Sequence, residues 1–331
     1  MSAPMPAPWV LAQWQQLSRA RGHAILLQGP SGLGQYALGL ALVRSWLCEV
    51  PMADGAACGS CPSCHAIDVR AHADLSVAMP ETVMLELGWP LAQKAQEAID
   101  EKARKPSREI RVEAVRDAVA SVQRTSARGR GKAVLVYPAE RMNTVTANAL
   151  LKTLEEPSGD TRLVLVADSA GQLLPTIRSR CVVHDMQWPA HDEAVAWLVA
   201  QGLAAADAPA LLRAAGGRPE QALALAAEGI TARAWAAWPM AIARGDGSMS
   251  AQWSVSRLLD SLVKLCHDLM ATHVGATPRF FDSADLPRAG RLSALATWSR
   301  ELHGLARHAE HPFQAGLLAE AWMVRARRAL G

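Results

Sequence analysis

The first half of the chain alternates short apolar runs with segments of helical pattern, and this alternation restricts the fold more than any other feature. The apolar runs that predict strands are residues 24–27, 74–79, 133–136 and 163–167. The patterns typical of helices are residues 36–47, 111–122 and 146–154. Because strands that alternate with helices favour a mainly parallel sheet, the first half is predicted to be an α/β domain. Residues 84–108 are polar and irregular in pattern.

The second half, beyond Pro189, contains only helical patterns. The predicted short helices are residues 191–201, 207–215 and 219–227, followed by longer helices after residue 235. Asp207 is a predicted N-cap, and Pro219 suits a first helical position. We therefore predict an α/β plus all-α protein. Its three predicted domains are residues 1–187, 188–232 and 233–331.

The composition excludes a disordered chain, because half of the 331 residues are hydrophobic and only 20% are charged. The formal net charge of +3 is too small to indicate whether nucleic acid is a partner. The first residues lack the basic and apolar segments of a secretory signal. The longest charge-free stretch, residues 22–43, contains too many glycines to be a good membrane span. We therefore predict a cytoplasmic protein without a membrane partner.

Residues 29–36 form a degenerate phosphate-binding loop between the first predicted strand and the first predicted helix. The functional pattern is G-x-x-x-x-G-K-[ST]. Gly29 and Gly34 match this pattern. Gln35 replaces the Lys that reaches the phosphates, and Tyr36 replaces the hydroxyl residue that holds Mg²⁺. A tight turn that binds nothing is the favoured interpretation, ahead of weak nucleotide binding and of ATP hydrolysis.

The strand at 133–136 also lacks the acidic residue that an ATPase keeps at its end to hold Mg²⁺. The chain continues there as Tyr-Pro-Ala-Glu, ending at Glu140. We expect Glu140 to face solvent or to cap the next helix. Because both the phosphate loop and the strand end lack the residues that ATP hydrolysis needs, we favour a domain that keeps the ATPase fold without ATPase catalysis.

Four of the six cysteines lie close together in the sequence, at Cys48, Cys58, Cys61 and Cys64. Four thiolates suit a closed tetrahedral zinc site, with Zn–S distances near ~2.3 Å. Such a site leaves no position for a substrate water, so the zinc would be structural. Free thiols and an iron–sulfur cluster are the alternatives, although the usual cluster spacings differ.

Residues 101–132 hold ten Lys and Arg against four Asp and Glu, a local net charge of +6. This charge suits DNA phosphates or an acidic partner. The favoured interpretation is a solvated helix face with a flexible loop at 126–131. Arg180, within Ser-Arg-Cys, is a second basic feature. A guanidinium at the edge of an ATPase domain can stabilise the transition state in a neighbour's nucleotide site. From spacing alone, an ordinary surface Arg is favoured.

Together these residues resemble the delta-prime family of bacterial DNA polymerase III clamp-loader subunits, which belongs to the AAA+ proteins. The resemblance rests on the run GHAILLQG at 22–29, the degenerate phosphate loop, the four cysteines, the run NALLKTLEEP at 148–157 and the Ser-Arg-Cys at 179–181. It covers about residues 10–185. The C-terminal half matches only in length and helical character.

The resemblance implies an AAA+ α/β domain at 1–187 with a zinc module inserted at 48–64, a helical lid at 188–232 and a helical collar for oligomerisation at 233–331. It implies structural Zn²⁺ on the four cysteines and no functional ATP site. The implied partners are the gamma/tau ATPases and delta in a heteropentamer, and through it the sliding clamp and primed DNA. In this family the Arg of Ser-Arg-Cys is an arginine finger toward the adjacent ATPase, a role that falls on Arg180.

The departures from the ATP-hydrolysing gamma/tau subunits concern this chain's own nucleotide site. They extend to the lid, where Glu220 stands at the position of a sensor Arg. The resemblance therefore predicts a non-hydrolysing stator subunit of the DNA-directed DNA polymerase III holoenzyme, which is not an enzyme by itself. The alternatives are an active AAA+ ATPase of the gamma/tau type and a stand-alone zinc-dependent DNA-binding protein. The absence of aromatic–basic clusters argues against the last.

Overall fold

In a computed structural model the chain forms two compact units, Met1–Pro189 and Ala190–Gly331. The structure describes residues 6–20, 22–288, 290–306 and 315–330. Every described strand lies in the first unit, and the described part of the second unit is helical. The predicted α/β plus all-α class is thus confirmed. The separation of a lid at 188–232 from a collar at 233–331 stays a prediction.

The described part of the first unit contains eight α-helices around a five-stranded sheet. The helices are α1 Pro8–Leu17, α2 Gln35–Leu47, α3 Pro62–Asp68, α4 Glu81–Glu86, α5 Gln93–Asp100, α6 Val112–Val122, α7 Thr144–Glu155 and α8 Pro175–Arg178. The strands are β1 Ala24–Gln28, β2 Leu75–Ala78, β3 Lys132–Val136, β4 Thr161–Ala167 and β5 Val182–Asp185. All pairings are parallel, and the strand order is β2-β3-β4-β1-β5.

The two faces of the sheet are covered by different helices. Leu163 and Leu165 of β4 belong to a core cluster that includes residues of α6 and α7. Val164 and Val166 point to the other face, because side chains alternate along a strand. There α2 approaches so closely that a Cβ on Gly39 would lie 3.1 Å from the Val166 side chain. The sheet is therefore buried on both faces, as expected for a parallel sheet.

Several elements escape the pattern analysis. Strand β5 is only four residues long and largely exposed at the sheet edge, so it lacks a long apolar run. Helices α1 and α3 were not predicted. Residues 84–108, irregular in pattern, contain α5, which buries no residue. Except for α1, which buries five of its ten residues, these elements are short or carry few buried positions.

The described part of the second unit contains seven α-helices. They are α9 His191–Ala200, α10 Ala208–Ala214, α11 Pro219–Ala227, α12 Ala232–Ala243, α13 Val255–His273, α14 Leu292–Ala306 and α15 Ala315–Leu330. Pro219 begins α11 as predicted. Asp207 is the N-cap residue of α10 as predicted, but its side chain does not cap that helix, because its Oδ1 accepts a hydrogen bond from the Ala232 N–H at 2.8 Å.

Stacked aromatic rings fill the core of this unit. Trp235 and Phe281 have ring centroids 4.6 Å apart, and Trp238 stacks on Trp253 at 5.4 Å. Offset stacks of this kind add to the stabilisation from buried apolar area. Among the described helices, none has the length and apolar character needed to cross a membrane.

Candidate functional site

The phosphate loop joins β1 to α2, where the sequence predicts it. A Cβ on Gly29 would lie 2.7 Å from the Cβ of Met186, so a larger residue does not fit there. Gly34 has a φ of +91° and is the N-cap residue of α2. The backbone thus keeps the shape of a strand-to-helix turn that depends on glycine.

The side chain of Gln35 lies inside this loop and is only 3% exposed. Its Nε2 donates to the carbonyl oxygens of Gly29 at 2.8 Å and Pro30 at 2.9 Å. Its Oε1 accepts from the Leu33 N–H at 3.1 Å. A phosphate loop binds its ligand with backbone N–H groups. The Leu33 N–H is such a group, and because it donates to Gln35 it is not available to a phosphate.

The second replaced position, Tyr36, packs against the end of β3. Its ring centroid lies 5.2 Å from that of Tyr137, the residue that follows β3. The Tyr36 hydroxyl accepts a hydrogen bond from Trp89 Nε1 at 2.8 Å. Burial raises the pKa of Tyr36, so the hydroxyl stays protonated and is a poor ligand for Mg²⁺.

Glu140 has neither of the roles that the sequence predicts for it. Its Oε1 accepts from the backbone N–H of Asp168 at 3.2 Å, and its Oε2 is buried. The N-cap of α7 is Asn143 instead, whose side chain accepts from the Thr146 N–H. Glu140 therefore joins the segment after β3 to the segment after β4.

Arg180 lies in the turn between α8 and β5. Its Nε donates to Glu155 Oε1 at 2.7 Å, and its Nη2 contacts the same oxygen. Its Nη1 donates to the carbonyl of Thr176 at 2.8 Å. The side chain is 33% exposed. The structure thus joins two sequence motifs, because Glu155 belongs to the run at 148–157 and Arg180 to Ser-Arg-Cys.

The four predicted metal ligands converge. The Sγ atoms of Cys48, Cys58, Cys61 and Cys64 all lie within 4.8 Å of one another. Cys48 Sγ is 3.6 Å from that of Cys58 and 3.8 Å from those of Cys61 and Cys64. A tetrahedral ion with bonds of ~2.3 Å requires sulfurs about 3.8 Å apart. The cluster therefore fits a tetrahedral metal ion.

Backbone N–H groups stabilise negative charge on these sulfurs. The N–H groups of Cys58 and Cys61 each lie 3.3 Å from the Sγ of the preceding cysteine in the set. Backbone donors at Ser60 and Cys61 lower the pKa of Cys58 to about 6. Burial raises the pKa of Cys64 to about 12. A bound cation would lower that pKa again, because a coordinating thiol is deprotonated.

The basic segment is partly neutralised by carboxylates outside it. Arg104 and Arg111 both contact Glu81, at 2.5 and 3.2 Å. Arg128 also contacts Glu49 at 2.6 Å, and Lys132 contacts Asp74 at 2.9 Å. The local charge of +6 is therefore an overestimate of the charge that this region presents to a partner.

Comparison with known proteins identifies the family. Residues 10–189, more than half of the chain, match the family described as "DNA polymerase III, delta subunit". The chain belongs to the DNA polymerase III delta subunit family. The matched residues end at the boundary between the two units of the structure.

Relatives of this family agree with the resemblance seen in the sequence. The chain is 41% identical to "DNA polymerase III subunit delta'" of Pseudomonas aeruginosa over 230 residues, 67% of this chain and 62% of that protein. It is 34% identical to the protein of that name from Escherichia coli, over 66% of this chain and 60% of the relative. The chain thus spans about three fifths of the length of these curated relatives. The resemblance to the delta-prime family is confirmed.

A solved structure supports the fold. The chain resembles a DNA polymerase III gamma subunit-related protein from Thermotoga maritima with a TM-score of 0.51. The match covers 98% of this chain and all of that chain, at 14% sequence identity. At this identity the likeness concerns the fold.

Proposed function

We propose that this delta-family chain is a non-hydrolysing subunit of the DNA polymerase III clamp loader. In this role it assembles with gamma/tau ATPases and delta in a heteropentamer and helps to set the sliding clamp on primed DNA. Membership of the DNA polymerase III delta subunit family supports the proposed assembly with other clamp-loader subunits. The observation that carries the non-hydrolysing role is the Gln35 side chain inside the phosphate loop, bonded to the loop at three points.

The proposed contribution to catalysis is Arg180, donated as an arginine finger to a neighbouring ATPase. Three contacts to Glu155 and Thr176 orient the guanidinium while leaving a third of the side chain exposed. A finger must be ordered and yet reach outside its own chain. The bonded guanidinium and the exposed third of the Arg180 side chain support this role, and its fixed charge suits the transition state of phosphoryl transfer.

We further propose that the four cysteines hold one structural Zn²⁺. Four sulfurs close the coordination shell, so the ion would stabilise the segment between α2 and α3 and take no part in a reaction. That segment has a core cluster made of Cys48, Cys61 and Cys64 themselves, with Ala57 and Cys58 packed against it. A segment with so little other apolar contact depends on metal for its fold.

The first experiment measures ATP turnover by the reconstituted ring carrying Arg180→Ala. We expect turnover to fall about 10³-fold at the site served by this chain, as for other arginine fingers. Arg178→Ala is the matched control, since Arg178 is an exposed residue at the end of α8, two positions before Arg180. Equal turnover by both variant rings would exclude the finger role.

The second experiment measures metal content by native mass spectrometry. We expect one zinc per chain, its loss in Cys64→Ser and its retention in Cys181→Ser, because Cys181 lies outside the cluster.

The alternative function, an active ATPase, is tested on the isolated chain. ATP turnover by the isolated chain that stops on replacement of Gly34 would favour an active ATPase.

A further inference from the structure

The loop between α6 and β3 is basic and exposed at its tip, with Arg124, Arg128 and Arg130, yet its base is tightly bonded. The Ser126 hydroxyl donates to Asp74 Oδ2 at 3.0 Å. The backbone N–H groups of Ala127 and Arg128 donate to the same carboxylate at 2.8 and 3.0 Å. One acidic side chain therefore organises residues 124–131, which we name the basic loop.

Asp74 is 1% exposed and also accepts from Lys132 Nζ at 2.9 Å. A buried carboxylate is costly unless hydrogen bonds and an opposite charge compensate it. All four donors come from the basic loop or from the first residue of β3. The loop and the carboxylate thus hold each other in one arrangement.

A chain of hydrogen bonds runs from Asp74 to the four-cysteine segment. His72 Nδ1 accepts from the Asp74 N–H at 3.0 Å, so Nε2 carries the proton of the neutral ring. Nε2 lies 3.0 Å from Ser63 Oγ. Ser63 in turn donates to Glu49 Oε1 at 2.9 Å. His72 is 6% exposed and Ser63 is fully buried, so water does not replace these bonds readily.

The last two residues of this hydrogen-bonded chain, Ser63 and Glu49, lie beside predicted metal ligands. Ser63 precedes Cys64, and Glu49 follows Cys48. The same Glu49 Oε1 also accepts from Arg128 Nη1 at 2.6 Å. The basic loop is therefore tied to the cysteine segment twice, through His72 and directly through Arg128.

We propose that the four-cysteine segment anchors the basic loop, so that metal binding decides whether residues 124–131 are ordered. This inference rests on the proposed metal site. Metal fixes the cysteines, and the cysteines fix Ser63 and Glu49. Without metal, the cysteine segment that bonds to His72 and Arg128 loses its shape, and the bonds of the basic loop to Asp74 lose that support and open more often.

Hydrogen exchange of the full chain, with zinc and after chelation, tests the inference. We expect the Ala127 and Arg128 amides to exchange roughly tenfold faster in the zinc-free chain, and trypsin to cleave after Arg124 and Arg130 correspondingly faster. The Leu26 amide in β1 is the internal reference. Equal rates at 127 and 128 with and without zinc would overturn the proposal.

The Ser63→Ala variant removes the hydrogen bond between the cysteine segment and His72 without removing a metal ligand. This variant keeps all four cysteines, so we expect normal zinc content and faster exchange in the basic loop. Ser60→Ala is the matched control, with its zinc content measured too, because Ser60 is exposed and its hydroxyl donates to Cys58 Sγ and not to His72 or Glu49. Identical exchange in the two variants would overturn the link. If the chain holds no metal, the zinc proposal fails, and a loosened loop in Ser63→Ala still establishes the anchor through His72 alone.

Discussion

The phosphate loop and the Arg180 turn lie in the same unit, but they use their polar side chains in opposite ways. In the phosphate loop, Gln35 is buried and its amide bonds to the loop itself. In the turn, Arg180 is held by Glu155 and still one-third exposed. A side chain whose donors are satisfied inside the fold stabilises that fold, whereas an ordered and exposed charge remains available to a partner.

The difference matches the proposed division of roles. Features that would serve this chain's own nucleotide are replaced or occupied, and the feature that would serve a neighbour is ordered. If this comparison holds, inward-facing polar groups should affect folding strongly. Outward-facing groups should affect folding little and act on the assembled ring.

The strongest effect on folding should come from a buried charge, Asp74. Although burial acts against it, the Ala127 N–H and the Lys132 ammonium lower the pKa of Asp74 to about 2. We expect Asp74→Asn to reduce the free energy of unfolding by about 3–5 kcal/mol, since Lys132 loses its partner. Urea denaturation at pH 7 measures this change, with the exposed Asp160→Asn as control.

The same carboxylate predicts a pH dependence. Its folded pKa lies below the ordinary value of 3.8, so its stabilisation is complete above about pH 4 and disappears as the pH falls toward 2. The loss should amount to about 2 kcal/mol. The difference in stability between wild type and Asp74→Asn should shrink over that range, while any acid release of metal affects both proteins alike. A constant difference would contradict the assignment.

An intermediate effect is expected for Gln35→Ala. The substitution removes three hydrogen bonds and leaves the Leu33 N–H and two carbonyl groups without them, at a cost of about 2 kcal/mol. Thermal and chemical denaturation measure this loss, with the exposed Gln172→Ala as control. If both variants are equally stable, Gln35 does not hold the loop, and the contrast with Arg180 weakens.

The smallest effect on folding is expected for Glu155→Gln. The Arg180–Glu155 pair is exposed, and such pairs contribute about 0.5 kcal/mol or less. The variant should therefore unfold like wild type, most closely at high salt. Its reconstituted ring should turn over ATP more slowly than the wild-type ring but faster than the Arg180→Ala ring, because the guanidinium remains but is less well oriented. A loss of stability above 1 kcal/mol would show that the turn is structural.

The sequence predicts strands β1–β4 and helices α2, α6 and α7, because their buried residues form apolar runs or one apolar helix face. It does not predict β5, whose residues are mostly exposed and so carry no pattern of burial. It also predicts the wrong role for Glu140. The side chain of Glu140 accepts a hydrogen bond from the Asp168 N–H, which follows β4 and is distant in the sequence. Both cases depend on contacts between segments that are distant along the chain.

Local sequence patterns are sufficient to predict the α/β plus all-α class, the family, the degenerate phosphate loop and the cysteine set. These features are local: a strand, a loop or a cysteine spacing contains its own signal. The contacts of Gln35 and Tyr36, which stand in place of the Lys and the Mg²⁺ ligand, depend on the three-dimensional fold. So do the contact between Glu155 and Arg180 and the bonds that join the basic loop to the cysteine segment through His72. The physical reason is that hydrogen bonds and ion pairs act over about 3 Å, and the fold alone brings these residues within that distance.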